Sequence, residues 1–456
     1  MPTFAEFARL AAPLMGAQAG NQVLGLVDTA IAGHLGDVEL AAVGLGNNIF
    51  YTVSFVGVGV MMGFEPLISQ AVGAGDSGGA YRLFTKSVAA ATVLGSLVAL
   101  AIIPLVSDPA LLSAVGVELE AVLGAATYVL WRLPSALPLL LLVSARAYLQ
   151  SHHITRPLIT SIVVANVANL VLGVLLAFGV QAPAWAGGGE LVPPLGLIGV
   201  GVTTAVTTFV QLGVMLLAIR RTRAAEPAAP PSRASKSELR HALRLGLPIS
   251  AQLLAEVGAF SIVGLLAARL GTVSLAAHQI ALTLGLFTFS LAQGIAAAGT
   301  VFVGRAIGAA KLGEARAAGH TAFAIGAAVM CVAGLGFWLL PERLARLFTT
   351  DAEVTASAAG LLVIAALFQV FDGVQVVGSG VLRGAGDTRF PLAANLVGYY
   401  ALGLPIAALC TFVLGYGVRG LWIGLCVGLV LVAATLFARF DHLCSRPLVR
   451  LAGGGD

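Results

Sequence analysis

Residues 87–106 pass twenty positions without one charged side chain, and stretches of that length and character recur along the chain. About twenty consecutive apolar residues cross the hydrocarbon core of a bilayer as a helix. Only 10% of the 456 residues are charged and 58% are hydrophobic, with a mean hydropathy of +0.96, whereas soluble domains run near a quarter charged. Strand-type alternation is absent, which disfavours a membrane barrel. The pattern therefore predicts an all-α membrane protein. Spans are read at 10–34, 46–72, 87–106, 119–143, 157–180 and 196–219, then at 246–268, 275–303, 318–340, 356–378, 391–415 and 421–438. The 56 glycines would let such helices approach closely and bend.

The second six spans restate the first. With an offset of 235, Pro248 falls on Pro13, Gly271 on Gly36, and Leu275-Ala276-Ala277 on Leu40-Ala41-Ala42. Arg305-Ala306-Ile307-Gly308-Ala309 falls on Gln70-Ala71-Val72-Gly73-Ala74, and LRGAGDTRFP from Leu382 matches LQSHHITRP from Leu149 at a slightly changed offset. Internal repeats of this kind mark transporters, with the substrate site near the bilayer midplane between the halves. The expected organisation is an N-terminal lobe over 1–219, a linker over 220–245, a C-terminal lobe over 246–438 and a tail over 439–456. The linker is basic and rich in Pro, Ala and Ser, with no apolar face.

The distribution of basic residues sets the orientation. With the N-terminus in the cytoplasm, inside segments hold 20 of the 25 Lys and Arg, among them Arg9, Arg82, Lys86, Arg146, Arg156, Arg305, Arg383 and seven in the linker. Both termini are thus expected to be cytoplasmic in a multi-pass protein of the plasma (inner) membrane. The formal net charge of +4 is small, and no basic face is interleaved with aromatics, so nucleic acid is not an expected partner. Cys331, Cys410, Cys426 and Cys444 form no CxxC or Cys/His cluster, so neither a disulfide framework nor a zinc site is indicated. The apolar Leu10–Ala19 stretch is not read as a signal peptide, because Glu6 precedes it, a strongly basic start is lacking and the segment has a twin in the second half.

Polar residues fall on stripes inside the spans. Gln18, Asn21, Gly25 and Asp28 share a face of the first; Asn166, Asn169 and Gly173 of the fifth; Thr204, Thr208 and Gln211 of the sixth. Gln252 and Glu256 share a face of the seventh; His278, Gln279 and Thr283 open the eighth; Gln369, Asp372, Gln375 and Ser379 line the tenth. Several such stripes imply a central cavity. Hydroxyls and amides in membrane helices often serve only to hold neighbours together, and that reading applies to the threonines and Asn166. His278 lies near a span end and reads more as a structural residue, although the cavity-lining set includes it with Gln18, Asn21, Asn169, Gln252, Gln279, Gln369 and Gln375. Glu65 is expected to snorkel or to pair with Arg82 or Lys86, and Arg383, Asp387 and Arg389 to form a capping and ion-pair cluster. Asp28, Glu256 and Asp372 differ: each is well inside its span with no basic residue on its face within two turns, and an intramembrane acid is a functional candidate by default.

The segments VDTAIAGHLGDVELAAVGLG (27–46), PISAQLLAEVGAF around Glu256, AAHQIAL (276–282) and FDGVQVVGSGVLRGAGDTRFP (371–391) resemble the multidrug and toxic compound extrusion (MATE) transporters, in their NorM-like branch. The resemblance covers nearly the whole chain. It implies twelve helices in two six-helix lobes facing each other in a V, and export of cationic amphipathic drugs driven by inward Na⁺ or H⁺. It further implies that Glu256 and Asp372 are the cation-site acids, holding Na⁺ as the favoured ion, that Asp28 is the N-lobe acid, a further cation-binding or coupling residue, and that Asn169 is its polar partner. Gly173 stands where family members often carry Asn or Asp, so the N-lobe site has one ligand fewer.

Other classes fit less well. A lipid-linked saccharide flippase would need several basic residues for pyrophosphate, and the spans offer at most Arg132. An intramembrane enzyme such as a prenyltransferase would need Asp-rich motifs for Mg²⁺, and neither DxxxD nor DDxxD occurs. No repeated channel filter is visible. The expectation is an exporter of organic cations, acting as a monomer in the bilayer, with no cofactor beyond the transported ion.

Overall fold

The computed structural model describes residues 4–108, 118–181, 190–225, 236–445 and 451. Twelve long helices follow one another: α1 (Phe4–Leu35), α2 (Asp37–Gly73), α3 (Ser77–Ser107), α4 (Leu119–Ser151), α5 (Arg156–Phe178) and α6 (Leu197–Ala225), then α7 (Lys236–Arg269), α8 (Thr272–Gly308), α9 (Leu312–Leu339), α10 (Ala352–Gly384), α11 (Arg389–Val413) and α12 (Val418–Cys444). Eleven are long and apolar enough to cross a membrane by length and composition. The other is α1, 32 residues long, whose polar stripe lowers its hydropathy. A short antiparallel ribbon, β1 (Val180–Gln181) with β2 (Glu190–Val192), pairs Val180 with Val192 between α5 and α6. Strands of two and three residues carry no alternation to read, and the sequence did not predict them.

Local chemistry places the helix ends. The link from α7 to α8 turns on Gly271 at φ +109°, a conformation that side chains rarely adopt, and its repeat equivalent Gly36 joins α1 to α2. Asp351 caps α10 by accepting from Glu353 N and Val354 N at 2.8 and 2.9 Å. Val93, Leu97 and Leu100 on one face of α3 are 60, 54 and 63% exposed, the outward apolar surface that a bilayer covers.

Three large hydrophobic cores and one small one, around Met330, divide the bundle. One holds residues of both lobes: Phe7, Met61, Leu67 and Tyr148 from the first half with Ile295, Val303, Val381 and Phe440 from the second. A second is built from the C-terminal half alone, around Trp422 and Phe368, and a third from the N-terminal half alone, around Phe50 and Tyr128. The lobes thus share a core at one end and part at the other, the geometry of a V.

Two boundaries shift from expectation. Residues 220–225 continue α6 and residues 236–245 begin α7, so the segment read as linker is helical at both ends. It also has a packing face, because Ala242 and Leu245 are buried. Glu238 in the first turn of α7 accepts from Arg82 Nη2 at 2.9 Å and Lys86 Nζ at 2.5 Å, which ties this extension to α3. The expected tail from 439 likewise begins as helix, since α12 runs to Cys444.

Candidate functional site

Each lobe buries its own polar cluster. In the C-terminal lobe, Glu256 is the focus of three side-chain amides that all donate to its Oε1: Asn395 Nδ2 at 2.5 Å, Gln375 Nε2 at 2.8 Å and Gln252 Nε2 at 3.1 Å. Gln252 Nε2 also reaches Ser379 Oγ at 3.1 Å. Helices α7, α10 and α11 therefore meet at one carboxylate oxygen. Asp372 is 5% exposed and, among the described residues, receives no hydrogen bond and forms no ion pair. Its electrostatic environment is set first by burial and then by the Glu256 carboxylate. Arg383 also bears on Glu256, but its guanidinium is engaged by Glu65 at 2.9 Å. A buried and a half-buried carboxylate, with no basic group bound to either, cannot both remain ionised and bare at low cost. The arrangement can hold a cation.

The α11 helix gives this cluster its third wall. It changes to π-helical geometry over Leu396–Gly403, and again over Leu409–Val413. π-Helical turns are rare and gather at functional sites. Asn395 sits at the start of the first π stretch, wholly buried. Tyr399 within it is 1% exposed and in electrostatic reach of both acids. Tyr400 Oη donates to Ala255 O at 2.9 Å, fixing the backbone beside Glu256.

In the N-terminal lobe both oxygens of Asp28 are satisfied: Oδ1 accepts from Asn169 Nδ2 at 2.9 Å and Oδ2 from Thr204 Oγ1 at 2.8 Å. The predicted stripes of α1, α5 and α6 thus converge. Gly173 packs against the end of Ile31, so the space beside it is filled by α1 rather than by a further ligand. Arg132, 4% exposed, also acts on Asp28 electrostatically. It sits where α4 narrows to a 3₁₀ turn at Leu133–Ser135. Its guanidinium lies 4.3 Å from the Phe50 ring centre and 4.7 Å from that of Tyr51, and donates to Tyr128 Oη at 2.8 Å and to Asn47 Oδ1. Three aromatic rings, counting Tyr128, surround one buried cation.

The remaining candidates fall into different places. Gln18 Oε1 accepts from Arg146 Nη1 at 3.0 Å and Asn21 Nδ2 at 3.2 Å, and Gln211 Nε2 reaches Asn21 Oδ1 at 3.4 Å. Arg146, expected in a cytoplasmic loop, is therefore inside α4. Asn166 bridges α5 to Gly20 O at 3.0 Å, the holding role foreseen for it. Gln369 Oε1 accepts from Thr288 Oγ1 at 3.0 Å, joining α10 to α8. Gln279 is exposed. His278 does not line the space between the lobes: it is fully buried against the edge of Trp422, ring centres 5.9 Å apart. Glu65 pairs with Arg383 across the lobes, while Arg82 and Lys86 hold Glu238. Asp387 both caps Phe390 N at 3.3 Å and pairs with Arg439 at 2.8 Å, so the expected loop cluster forms around Asp387 without Arg383.

The model of the MatE family matches this chain twice, over residues 13–175 and 248–409. The chain belongs to the MATE family. Its two matches start 235 residues apart, the offset at which the sequence repeats. It is 36% identical to the probable multidrug resistance protein NorM of Deinococcus radiodurans, over 95% of this chain and 94% of that one. It is 31% identical to the multidrug resistance protein MdtK of Pectobacterium atrosepticum, over 98% and 97%. Two solved structures share its fold at 21% identity and a TM-score of 0.85. These are the eukaryotic MATE transporter AtDTX14, covering 98% of both chains, and an outward-facing multidrug resistance MATE transporter of the MOP superfamily, covering 96% of this chain and 95% of that one. The protein is thus a multi-pass membrane transporter of the multidrug-efflux type, with the twelve-helix, two-lobe layout of MATE proteins.

Sequence reasoning passed over three residues of these MATE clusters. Asn395 and Tyr399 lie in an apolar span with no stripe around them; a lone buried amide was the available signal for Asn395. Arg132 was assigned to its span but given no partner, because its partners come from α2 and from its own helix.

Proposed function

We propose that this chain exports cationic amphipathic compounds across the bacterial inner membrane in exchange for Na⁺ or H⁺, with Glu256 and Asp372 as the site of the coupling cation. The observation that carries the reading is a pair of carboxylates with no ion-pair partner among the described residues, Asp372 buried and without any donor, Glu256 half-buried. Anionic groups in a low-dielectric site select cations by Coulomb attraction. A bound ion and a bound drug would drive transport if they favour different lobe arrangements, since a ligand shifts a conformational equilibrium only by its differential affinity. Hard oxygen ligands suit Na⁺, and the carbonyl oxygens of Gln252, Gln369 and Gln375 are at hand after an amide turn. Asp28, with Asn169 and Thr204, is assigned to the drug path in the N-terminal lobe.

The shared core lies at the end that carries Arg82, Lys86, Arg305 and Arg383. Under the positive-inside rule that end is cytoplasmic and the parted ends open outward. The test is dye efflux from proteoliposomes at fixed pH with and without an inward Na⁺ gradient. Na⁺ coupling predicts faster efflux with the gradient. Equal efflux in both, with acceleration only by a pH gradient, assigns the proton instead; no response to either gradient overturns the exporter reading.

A further inference from the structure

The Oε1 atom of Glu256 has more donors than it can accept well. A carboxylate offers about four lone-pair sites over two oxygens, yet three amide N–H groups converge on this one oxygen at 2.5, 2.8 and 3.1 Å. Among the described residues no hydrogen bond reaches Oε2. The shortest of the three bonds comes from Asn395, which is also the only donor on α11. Gln252 lies one turn away on Glu256's own helix. Gln375 is steadied on α10 and makes a second, longer contact with Asn395 Oδ1 at 3.4 Å. The helix that carries Asn395 turns π-helical immediately after it.

Resting on the cation-site reading above, we propose that Asn395 competes with the coupling cation for Glu256, and that its release converts cation entry into movement of α11. Donors on a carboxylate stabilise the bare anion and so lower its affinity for any cation. A cation arriving on the Oε2 and Asp372 side withdraws charge from Oε1 and weakens all three donor bonds. Gln252 keeps Ser379 at 3.1 Å, while Gln375 and Asn395 share a 3.4 Å contact with each other. The change is felt most at Asn395, whose 2.5 Å bond to Oε1 is the shortest of the three and the one that comes from the π-helical α11. A π stretch is a low-cost place for a helix to respond, because closing it to α geometry shifts the register by one residue without breaking the span. Such a shift would also carry Tyr399, which is in electrostatic reach of both acids, and Tyr400, which holds Ala255 O.

The proposal fixes a sign. Asn395→Ala and Asn395→Leu remove a competitor, so the cation concentration for half-maximal dye efflux should fall, by about tenfold for a charge-assisted bond, with a reduced maximal rate. Efflux is titrated with NaCl at fixed pH and with pH at zero Na⁺, in proteoliposomes of the full chain. A rise would make Asn395 a ligand of the cation and overturn the competition; an unchanged half-point with a lower melting temperature would make it purely structural and also overturn it. Glu256→Gln separates the two layers of the argument: ion dependence retained at the wild-type level in that variant defeats the cation-site reading itself. Should neither Asn395 variant fold, hydrogen–deuterium exchange of residues 396–403 in the wild-type protein decides. Exchange should change on adding saturating cation, and identical exchange with and without it contradicts the proposal.

Discussion

Gly59 and Gly294 occupy equivalent places in the two halves of the molecule, each pressed by the backbone of the opposite lobe: Ser250 of α7 against Gly59, and Met15 of α1 against Gly294. Adding 235 to Gly59 and Met15 gives Gly294 and Ser250. The same reciprocity returns where Arg305 meets Gly73 and Gln70 meets Gly308. Both lobes contain six spans and so run in the same direction, which makes them parallel repeats about an axis along the membrane normal. The contacts are backbone to backbone, and a glycine supplies one partner in each.

A side chain at either glycine should hold the lobes apart at this end. Gly59→Val and Gly294→Val each force an overpacked crossing costing roughly 1–3 kcal/mol. Because the positions are equivalent, the two variants should lose efflux to a similar degree, on the order of tenfold for 1.4 kcal/mol. Spin-label distances between α2 and α7 should lengthen in the first and distances between α1 and α8 in the second. Wild-type efflux in both variants would remove the seam from the transport cycle.

The Glu65–Arg383 pair, 2.9 Å across the same seam with both side chains about a tenth exposed, is predicted to lock that end. Breaking one member of a buried pair costs about 3–5 kcal/mol, because the other charge is left uncompensated. Glu65→Gln and Arg383→Gln should each lower the melting temperature in detergent, and the double variant should lose less than the two combined. Strict additivity would show that the pair is not energetically coupled.

How far the sequence reached follows from where each signal lies along the chain. The lobes, the repeat and the three acids were legible because each is periodic or stands out within one span: Asp28 shares a helical face with Gln18 and Asn21, and Glu256 with Gln252. The partners that complete the clusters lie on other helices. Asn395 reaches Glu256 from 139 positions away and Arg383 reaches Glu65 from 318, and no local pattern announces either. Glu65 looked paired with Arg82 because both sit near one end of their helices. Tertiary packing instead gave Arg82 to Glu238, in a segment whose composition read as linker. The π-helical α11 packs closely on α12 through Gly398, Gly403, Gly424 and Gly428, an approach that spacing within one helix does not reveal.

Asp28→Asn is expected to remove most efflux while leaving expression unchanged. The carboxylate accepts from Asn169 and Thr204, and an amide can accept from one of them while turning its own donor toward the other, so the fold should persist without the charge. Drug susceptibility of cells lacking other efflux pumps, read beside membrane protein levels, checks it. Full resistance in the variant would make the N-lobe acid dispensable.

Orientation is tested by a cysteine at Ser235, between α6 and α7. With seven basic residues in the 220–244 segment, that site is predicted to face the cytoplasm. An impermeant maleimide, with the four native cysteines replaced, should label it in inside-out vesicles and not in intact cells. Labelling of intact cells would invert the topology.

The central claim is that Glu256 and Asp372 couple export to an ion gradient. The most direct measurement is the acceleration of dye efflux by an inward Na⁺ gradient, and separately by an inward pH gradient, in proteoliposomes holding the wild-type protein, Glu256→Gln or Asp372→Asn. The account predicts that one gradient accelerates the wild type and that both variants lose that acceleration, although they still reach the membrane folded. Acceleration at the wild-type level in both variants would contradict it.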